Sequence, residues 1–251
     1  MARDEQSQSG ENVKITTDPI SLENPIIIEG FPGIGLVGNI ASQHLIDELE
    51  MEYVGTIESK YFPPIAVLFN GMVNMPVRIY ESKKHNILTV ISDIPIHPTI
   101  SYEVSKVLID WAQSLNVKEI VSIAGIATMT MGENKVFGAA TSEEMLEKIK
   151  EHVEIFQVGT ISGISGSVMT ECNMRKIPAI SLLGETNSPN PDPRAAAAVI
   201  KILNKLYDLS IDINNLMEQA EQIEVELQKL AEQVKSSEQG DQPRREFPMY
   251  A

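Results

Sequence analysis

The residues most suggestive of chemistry lie early in the chain, where Gly33-Ile34-Gly35-Leu36-Val37-Gly38 spells G-x-G-x-x-G. The run follows a short apolar stretch and opens a helix-length segment. In that context glycines let a backbone approach a pyrophosphate at the positive end of a helix. Glu58 stands 20 residues beyond Gly38, close to where an acid would meet a ribose hydroxyl. Three features point the other way. Pro32 stiffens a turn that should be tight, only three apolar residues precede Glu29, and residues 53–91 read as strand-rich rather than as further βαβ units. The same glycines would equally serve close packing of a strand on a helix. Two readings stand: a packing loop, or a nucleotide- or nucleoside-binding enzyme acting through residues 33–38.

Other candidates are weaker. Gly159 to Ser167 is rich in glycine and serine, but position 167 is Ser, so G-x-S-x-G is not completed from Gly163. Such loops bind phosphate through backbone N–H groups or are simply turns. His44, His85, His97 and His152 are scattered, without H-E-x-x-H spacing, and Cys172 is the one cysteine. Neither a metal site nor an intramolecular disulfide follows. His97 could be an acid or base at a strand end, or an incidental loop residue. Asp192, between Pro191 and Pro193, belongs to the cap of a following helix. No catalytic constellation and no cofactor is expected.

The sharper signal is terminal. Met249-Tyr250-Ala251 offers a hydrophobic residue, a tyrosine and a last residue with a carboxylate. A carboxylate calls for a cation, and the tyrosine supplies contact area plus a hydroxyl. Residues 236–251 read as a linker and docking tail, because Lys235 to Arg245 lacks the apolar content to bury anything.

The elements that must position these residues alternate in type. Ile26 to Ile28 has no polar face, as in a strand buried on both sides. A turn and a helix through Leu45 and Leu49 follow. Strands are expected at Tyr53–Ile57, Ile65–Phe69, Val77–Tyr80 and Ile87–Ile91, with Asn70-Gly71 as a hairpin turn. Further on, a helix over Tyr102–Leu115 leads to a strand over Glu119–Gly125. Ser142 caps the next helix, Ile155–Val158 and Ile177–Leu183 are strands, and Pro193 opens a helix over Arg194–Leu206. Strands interleaved with helices predict an α/β domain over residues 13–210, its sheet mixed or mostly parallel and flanked by helices. Residues 1–12 read as a disordered polar tail. Over residues 211–235, Leu216, Ala220, Ile223, Leu227, Leu230 and Val234 form a heptad seam. That seam either folds back on its own domain or faces a partner or a second copy.

Charge narrows the function classes. Lys and Arg total 20 against 35 Asp and Glu, a net charge of -15 that repels phosphate backbones and anionic membranes. No apolar run approaches the roughly 20 residues of a membrane span, and the N-terminus lacks an apolar signal region. No nucleic-acid or membrane partner is expected, and the location is expected to be cytoplasmic.

Gly30-Phe-Pro-Gly-Ile-Gly-Leu-Val-Gly38, Leu183-Gly-Glu-Thr186 and Asn190-Pro-Asp-Pro-Arg-Ala-Ala196, in this order and spacing across about residues 20–215, resemble the archaeal branch of the proteasome assembly chaperone family. The heptad helix and tail are similar to those of members that carry a terminal hydrophobic-tyrosine-any signal, and the resemblance extends to members that look like assembly chaperones and to others that look like activators opening the entry gate. The resemblance implies a nucleoside phosphorylase-like α/β fold without catalytic residues. It implies a non-enzymatic homo-oligomer that binds the outer (alpha) ring of the proteasome core particle without ATP. Met249 and Tyr250 would be the docking pair, with the Ala251 carboxylate facing a lysine. Gly30, Pro32, Gly33, Gly35, Gly38, Gly184, Glu185 and Asp192 would be family loop residues, which favours packing over nucleotide binding for the glycine loop.

Overall fold

The computed structural model describes residues 6–69, 71–128, 134–186, 190–223 and 225. Among the described residues are the strands β1 (Gln6–Ser9), β2 (Val13–Thr17), β3 (Ile26–Gly30), β4 (Glu52–Ser59), β5 (Val67–Phe69), β6 (Met72–Asn74), β7 (Val77–Ser82), β8 (Ile87–Ser92), β9 (Glu119–Ala127), β10 (Val136–Ala140), β11 (Glu154–Ile155) and β12 (Ala179–Thr186). Five helices join them: α1 (Val37–Glu48), α2 (Pro98–Ser114), α3 (Glu143–Ile149), α4 (Gly163–Arg175) and α5 (Pro193–Tyr207). Residues 214–223 are also helical.

Ten strands form one mixed sheet in the order β1-β2-β4-β7-β8-β3-β9-β12-β10-β11. The centre is parallel, with β3 between β8 and β9 and β9 beside β12. Every residue of β3 and of β8 is buried, which explains their lack of a polar face. On one side of the sheet, Ile26, Ile28, Val121, Ile123, Ile180 and Leu182 pack with the apolar faces of α1 and α5. On the other, Ile27, Leu88, Val90, Ile120 and Ala179 pack with α2 and α4. The result is a three-layer α/β domain, the class expected from the alternation of elements.

Local signals explain most boundaries. The Ser142 hydroxyl accepts from the Met145 N–H and caps α3. Asp192 Oδ1 accepts from the Ala195 N–H at 3.0 Å and Pro193 opens α5. Helix α2 starts at Pro98, four residues before the expected Tyr102, because the His97 ring nitrogen accepts from the Thr99 N–H and acts as its N-cap.

Several expectations are corrected. Residues 6–9, placed in a disordered tail, pair with β2, since an edge strand can be held by backbone bonds without apolar side chains. The strand expected over Ile155–Val158 is only Glu154–Ile155, and Val158 is exposed. The glycine-serine stretch ending at Ser167 runs into helix α4. Strand β10, not expected at all, pairs antiparallel with β12. Asn70 lies outside the described residues, but β5 and β6 do pair antiparallel across Gly71, whose φ is +77°.

Candidate functional site

Three places collect the residues singled out above: the carboxyl ends of β3, β9 and β12, the segment after α5, and the chain terminus. The first holds the glycine loop. After β3 the chain makes a 3-10 turn over Ile34–Leu36 and then enters α1. Gly35 has φ +62°, a left-handed conformation that favours glycine, and a Cβ there would come within 3.0 Å of the Thr186 side chain. A Cβ on Gly38 would overlap the Ile123 carbonyl oxygen, and one on Gly30 would overlap Gly38 and Ser42. Gly184 is wedged between Val37 and the Ala195 carbonyl. Gly33 is different, with an extended backbone and nothing within 4 Å of where a Cβ would stand.

The three sequence motifs meet here. The Asp192 N–H donates to the Gly35 carbonyl at 2.8 Å, so the cap of α5 also locks the glycine loop. Glu185 accepts from the Thr128 hydroxyl at 2.5 Å and from the Lys135 N–H at 3.2 Å. It thereby ties together the two ends of the segment between β9 and β10. These glycines therefore bring a strand end, a turn and two helices into van der Waals contact.

A cavity of about 220 Å³ remains beside the loop, lined by Pro32, Gly33, Gly125 and the start of α4 at Ser162 and Gly163. It lies between β3 and β9, the point where the connections leaving the two strands diverge to opposite halves of the sheet, a common ligand position in α/β folds. Its volume falls below the ~300 Å³ from which small-molecule sites usually start, whereas a second cavity of about 380 Å³, lined by Pro32, Gly33, Leu36, Asn39, Asp93 and Pro95, flanks the same loop. Glu58, the candidate ribose acid, is not near it. The strand after α1 is β4, separated from β3 by β7 and β8, roughly 14 Å of strand spacing. A dinucleotide fold needs that acid on the neighbouring strand.

Under α4 lies a polar layer that sequence reading missed. Glu29 is fully buried, and neither carboxylate oxygen meets a donor at bonding geometry among the described residues. Burial, only partly offset by the nearby Ser122 and Ser165 hydroxyls and the Phe31 N–H, lifts its pKa from 4.5 to about 7. Cys172 is buried close by, its thiol pushed up to about 12 by burial first and then by the Glu29 and Glu171 charges. A thiol so raised is a poor nucleophile. Among the described residues no group of His, Cys, Asp and Glu is arranged to hold a metal.

The segment after α5 is clamped to the body. The Asn204 side chain accepts from the Ile211 N–H at 3.1 Å and donates to the Ile211 carbonyl at 2.9 Å. His44 Nε2 lies 2.6 Å from the Asp212 carbonyl. Leu216 is 2% exposed and belongs to the core on the α1 and α5 side, and Ala220 is buried as well. Leu216 therefore faces its own domain, and neither of these two heptad positions is exposed. Ile223 is half-buried. Leu227, Leu230 and Val234, and the terminal Met249, Tyr250 and Ala251, lie outside the described residues.

A profile of the PAC2 family matches residues 27–231. The chain belongs to the PAC2 family. Its match runs from β3 through the clamped segment into the heptad region. An uncharacterized protein of Methanocaldococcus jannaschii is 39% identical over 231 residues, covering 92% of this chain and 94% of that protein. The structure is similar to that of Pyrococcus furiosus PbaA, an archaeal homolog of proteasome-assembly chaperone, with a TM-score of 0.81 and 34% identity over 90% of this chain and 95% of that one. It is also similar to P. furiosus PbaB, an archaeal proteasome activator, with a TM-score of 0.79 and 29% identity over 88% of this chain and 100% of that one. These two neighbours are thus a proteasome-assembly chaperone homolog and a proteasome activator. Among the described residues no helix is long and apolar enough to cross a membrane.

Proposed function

We propose that this PAC2-family chain is a non-enzymatic, ATP-independent proteasome-binding protein, an assembly chaperone homologue or an activator. It docks Met249-Tyr250-Ala251 into pockets between subunits of the core particle's outer (alpha) ring, and in the activator role that docking would open the gate to the peptidase chamber. One observation carries the reading. The hydrophobic-tyrosine-any terminus is joined to a body that overlays the whole length of PbaB, an archaeal proteasome activator. The physics is that of terminal-carboxylate capture: a lysine pairs the Ala251 carboxylate while Tyr250 fills an apolar slot and hydrogen-bonds through its hydroxyl. A single short tail binds weakly. Several tails on one homo-oligomer raise the effective concentration and can multiply affinity by roughly 10²–10⁴.

The test is hydrolysis of a gated peptide by an archaeal core particle without nucleotide. Full-length protein should stimulate it, and protein lacking residues 249–251 or carrying Tyr250→Ala should not. Unchanged stimulation by both variants would sink the tail mechanism. Absence of stimulation by the full-length protein removes the activator role and leaves assembly chaperoning, read out as accelerated assembly of outer-ring subunits.

A further inference from the structure

Glu29 of β3 is in register with Ser122 of β9, and Ser122 with Ser181 of β12. In register on neighbouring parallel strands, the three side chains form one line across a single face of the sheet. It is the face of α4, since Ile27, Ile120 and Ala179, two residues earlier on the same strands, pack in the core with that helix. Glu29, Ser122 and Ser181 are fully buried. Both Glu29 carboxylate oxygens and the Ser122 and Ser181 hydroxyls lack a partner at bonding geometry among the described residues. Two residues further on, Phe31, Ala124 and Leu183 line the cavity of about 220 Å³ together with the start of α4. The polar line and the cavity are thus successive side-chain layers under one helix, roughly 7 Å apart.

Helix α4 is held unequally at its two ends. At the C-terminal end the Arg175 guanidinium donates to Asp110 and Gln113 of α2 and to Glu171. At the N-terminal end Ser162 makes no side-chain bond to the first turn, so the orphan N–H groups there lack the usual cap. Gly163 has φ +71° and nothing within 4 Å of where a Cβ would stand, which leaves a pivot at the helix start. Residues 157–160, leading into it, are exposed. Among the described residues the groups that face Glu29 are Val90 from β8, Ser122 from β9, the Phe31 N–H, and Ser165 and Cys172 from α4, none of them a cation. Glu171 adds a like charge beside Cys172, and Arg175 is already paired with Glu171 and with Asp110 of α2. We propose that the N-terminal half of α4 is a proton-controlled flap over this polar line, shut while Glu29 is protonated and released when it ionises. A neutral carboxyl tolerates burial, whereas an unpaired carboxylate calls for water. The lightly held end of α4 is the element with least to lose in letting water in. Burial moves the changeover from 4.5 to about 7. The shut state therefore holds its proton the more tightly. Its advantage is complete below pH 4.5, shrinks as pH rises to 7 and changes little beyond.

Hydrogen exchange of the full chain tests this at pH 5 and pH 8, for the natural sequence and for Glu29→Gln. Protection is referred to the unstructured rate at each pH, with the amides of β3 and β9 as an internal standard for global unfolding. Amides of Ser167 to Thr170, within α4, should be less protected than that standard at both values. Their protection should fall roughly 70-fold from pH 5 to pH 8, the span in which the ionised carboxyl comes to favour the open form. In Glu29→Gln the fall should vanish. Helix amides as protected as the standard at either value would mean that α4 opens only with the whole domain, and would overturn the proposal. So would a fall absent from the natural chain or retained by Glu29→Gln. A second readout needs no variant. The Glu29 carboxyl carbon, followed by NMR, should titrate near pH 7, where the fall in protection levels off, and a carboxyl already ionised at pH 5 overturns the proposal. Neither readout involves residues 249–251, so tail docking can fail while the flap stands, and the reverse.

Discussion

The glycine loop at the end of β3 and the hairpin of β5 and β6 exchange the roles their residue types suggest. The loop carries a nucleotide-binding spelling, yet Gly35 and Gly38 are confined by Thr186 and the Ile123 carbonyl, and Asp192 ties the loop to α5. The hairpin is plain apolar sequence of the kind that fills cores, yet Leu68, Met72 and Val73 stand in solvent. Whether a motif is chemistry or packing depends on whether its backbone faces open space or other backbone. Whether an apolar run is core or interface depends on what lies over it.

The comparison breaks most readily at the loop. Gly38→Ala should cost about 3 kcal/mol, because overpacking against a carbonyl outweighs the gain in helix propensity. It should lower Tm by roughly 10 °C. Gly33→Ala, at an extended and open position, should stay within about 0.5 kcal/mol. Urea titration of both checks this, and equal losses at the two positions would remove the packing explanation.

The polar layer under α4 gives a pH signature. Glu29 binds its proton more tightly folded, with its pKa raised from 4.5 to about 7. Its carboxyl has no effect on stability below pH 4.5, lowers it as pH rises from 4.5 to 7, and leaves it about 3 kcal/mol lower above pH 7. Glu29→Gln should therefore stabilise the protein by up to about 3 kcal/mol at pH 8 and by little at pH 4.5. Denaturant midpoints at the two pH values measure the difference. A gain of the same size at both would show that Glu29 is not the titrating group.

Smaller effects are expected at the hairpin. Leu68→Ser should change stability by no more than about 0.5 kcal/mol, because the side chain is 70% exposed. The smallest effect belongs to ligands: ATP, NAD or nucleosides should leave Tm unmoved, and a concentration-dependent rise would reopen the crevice as a binding site.

How much was legible in the sequence follows from how local each cause is. Ser142, Asp192 and Pro193 announce their helices because caps act within one turn. Strand β3 is legible as an unbroken apolar run. Helix α4 is not, because the surface it covers mixes Glu29, Ser122 and Ser181 with the apolar Ile27, Ile120 and Ala179, and its own buried face is mixed to match. Its buried positions are Ile164, Ser165, Val168, Glu171 and Cys172, helically spaced but mixed in polarity. Strand β1 has no apolar residue, and only its backbone pairing with β2 identifies it.

The sequence by itself determined the α/β alternation, the order of the family motifs and the Met249-Tyr250-Ala251 terminus on which the proposed docking rests. These depend on periodicity, capping and residue identity, which neighbours along the chain express. Tertiary structure decided that Gly38 meets Ile123, that β7 and β8 separate Glu58 from the glycine loop, that Leu216 is buried in its own domain and that the 61–76 hairpin is left uncovered. Each depends on contacts between segments distant in the chain. The space around a residue is set by which strands and helices come to lie beside it, and local patterning carries no record of that.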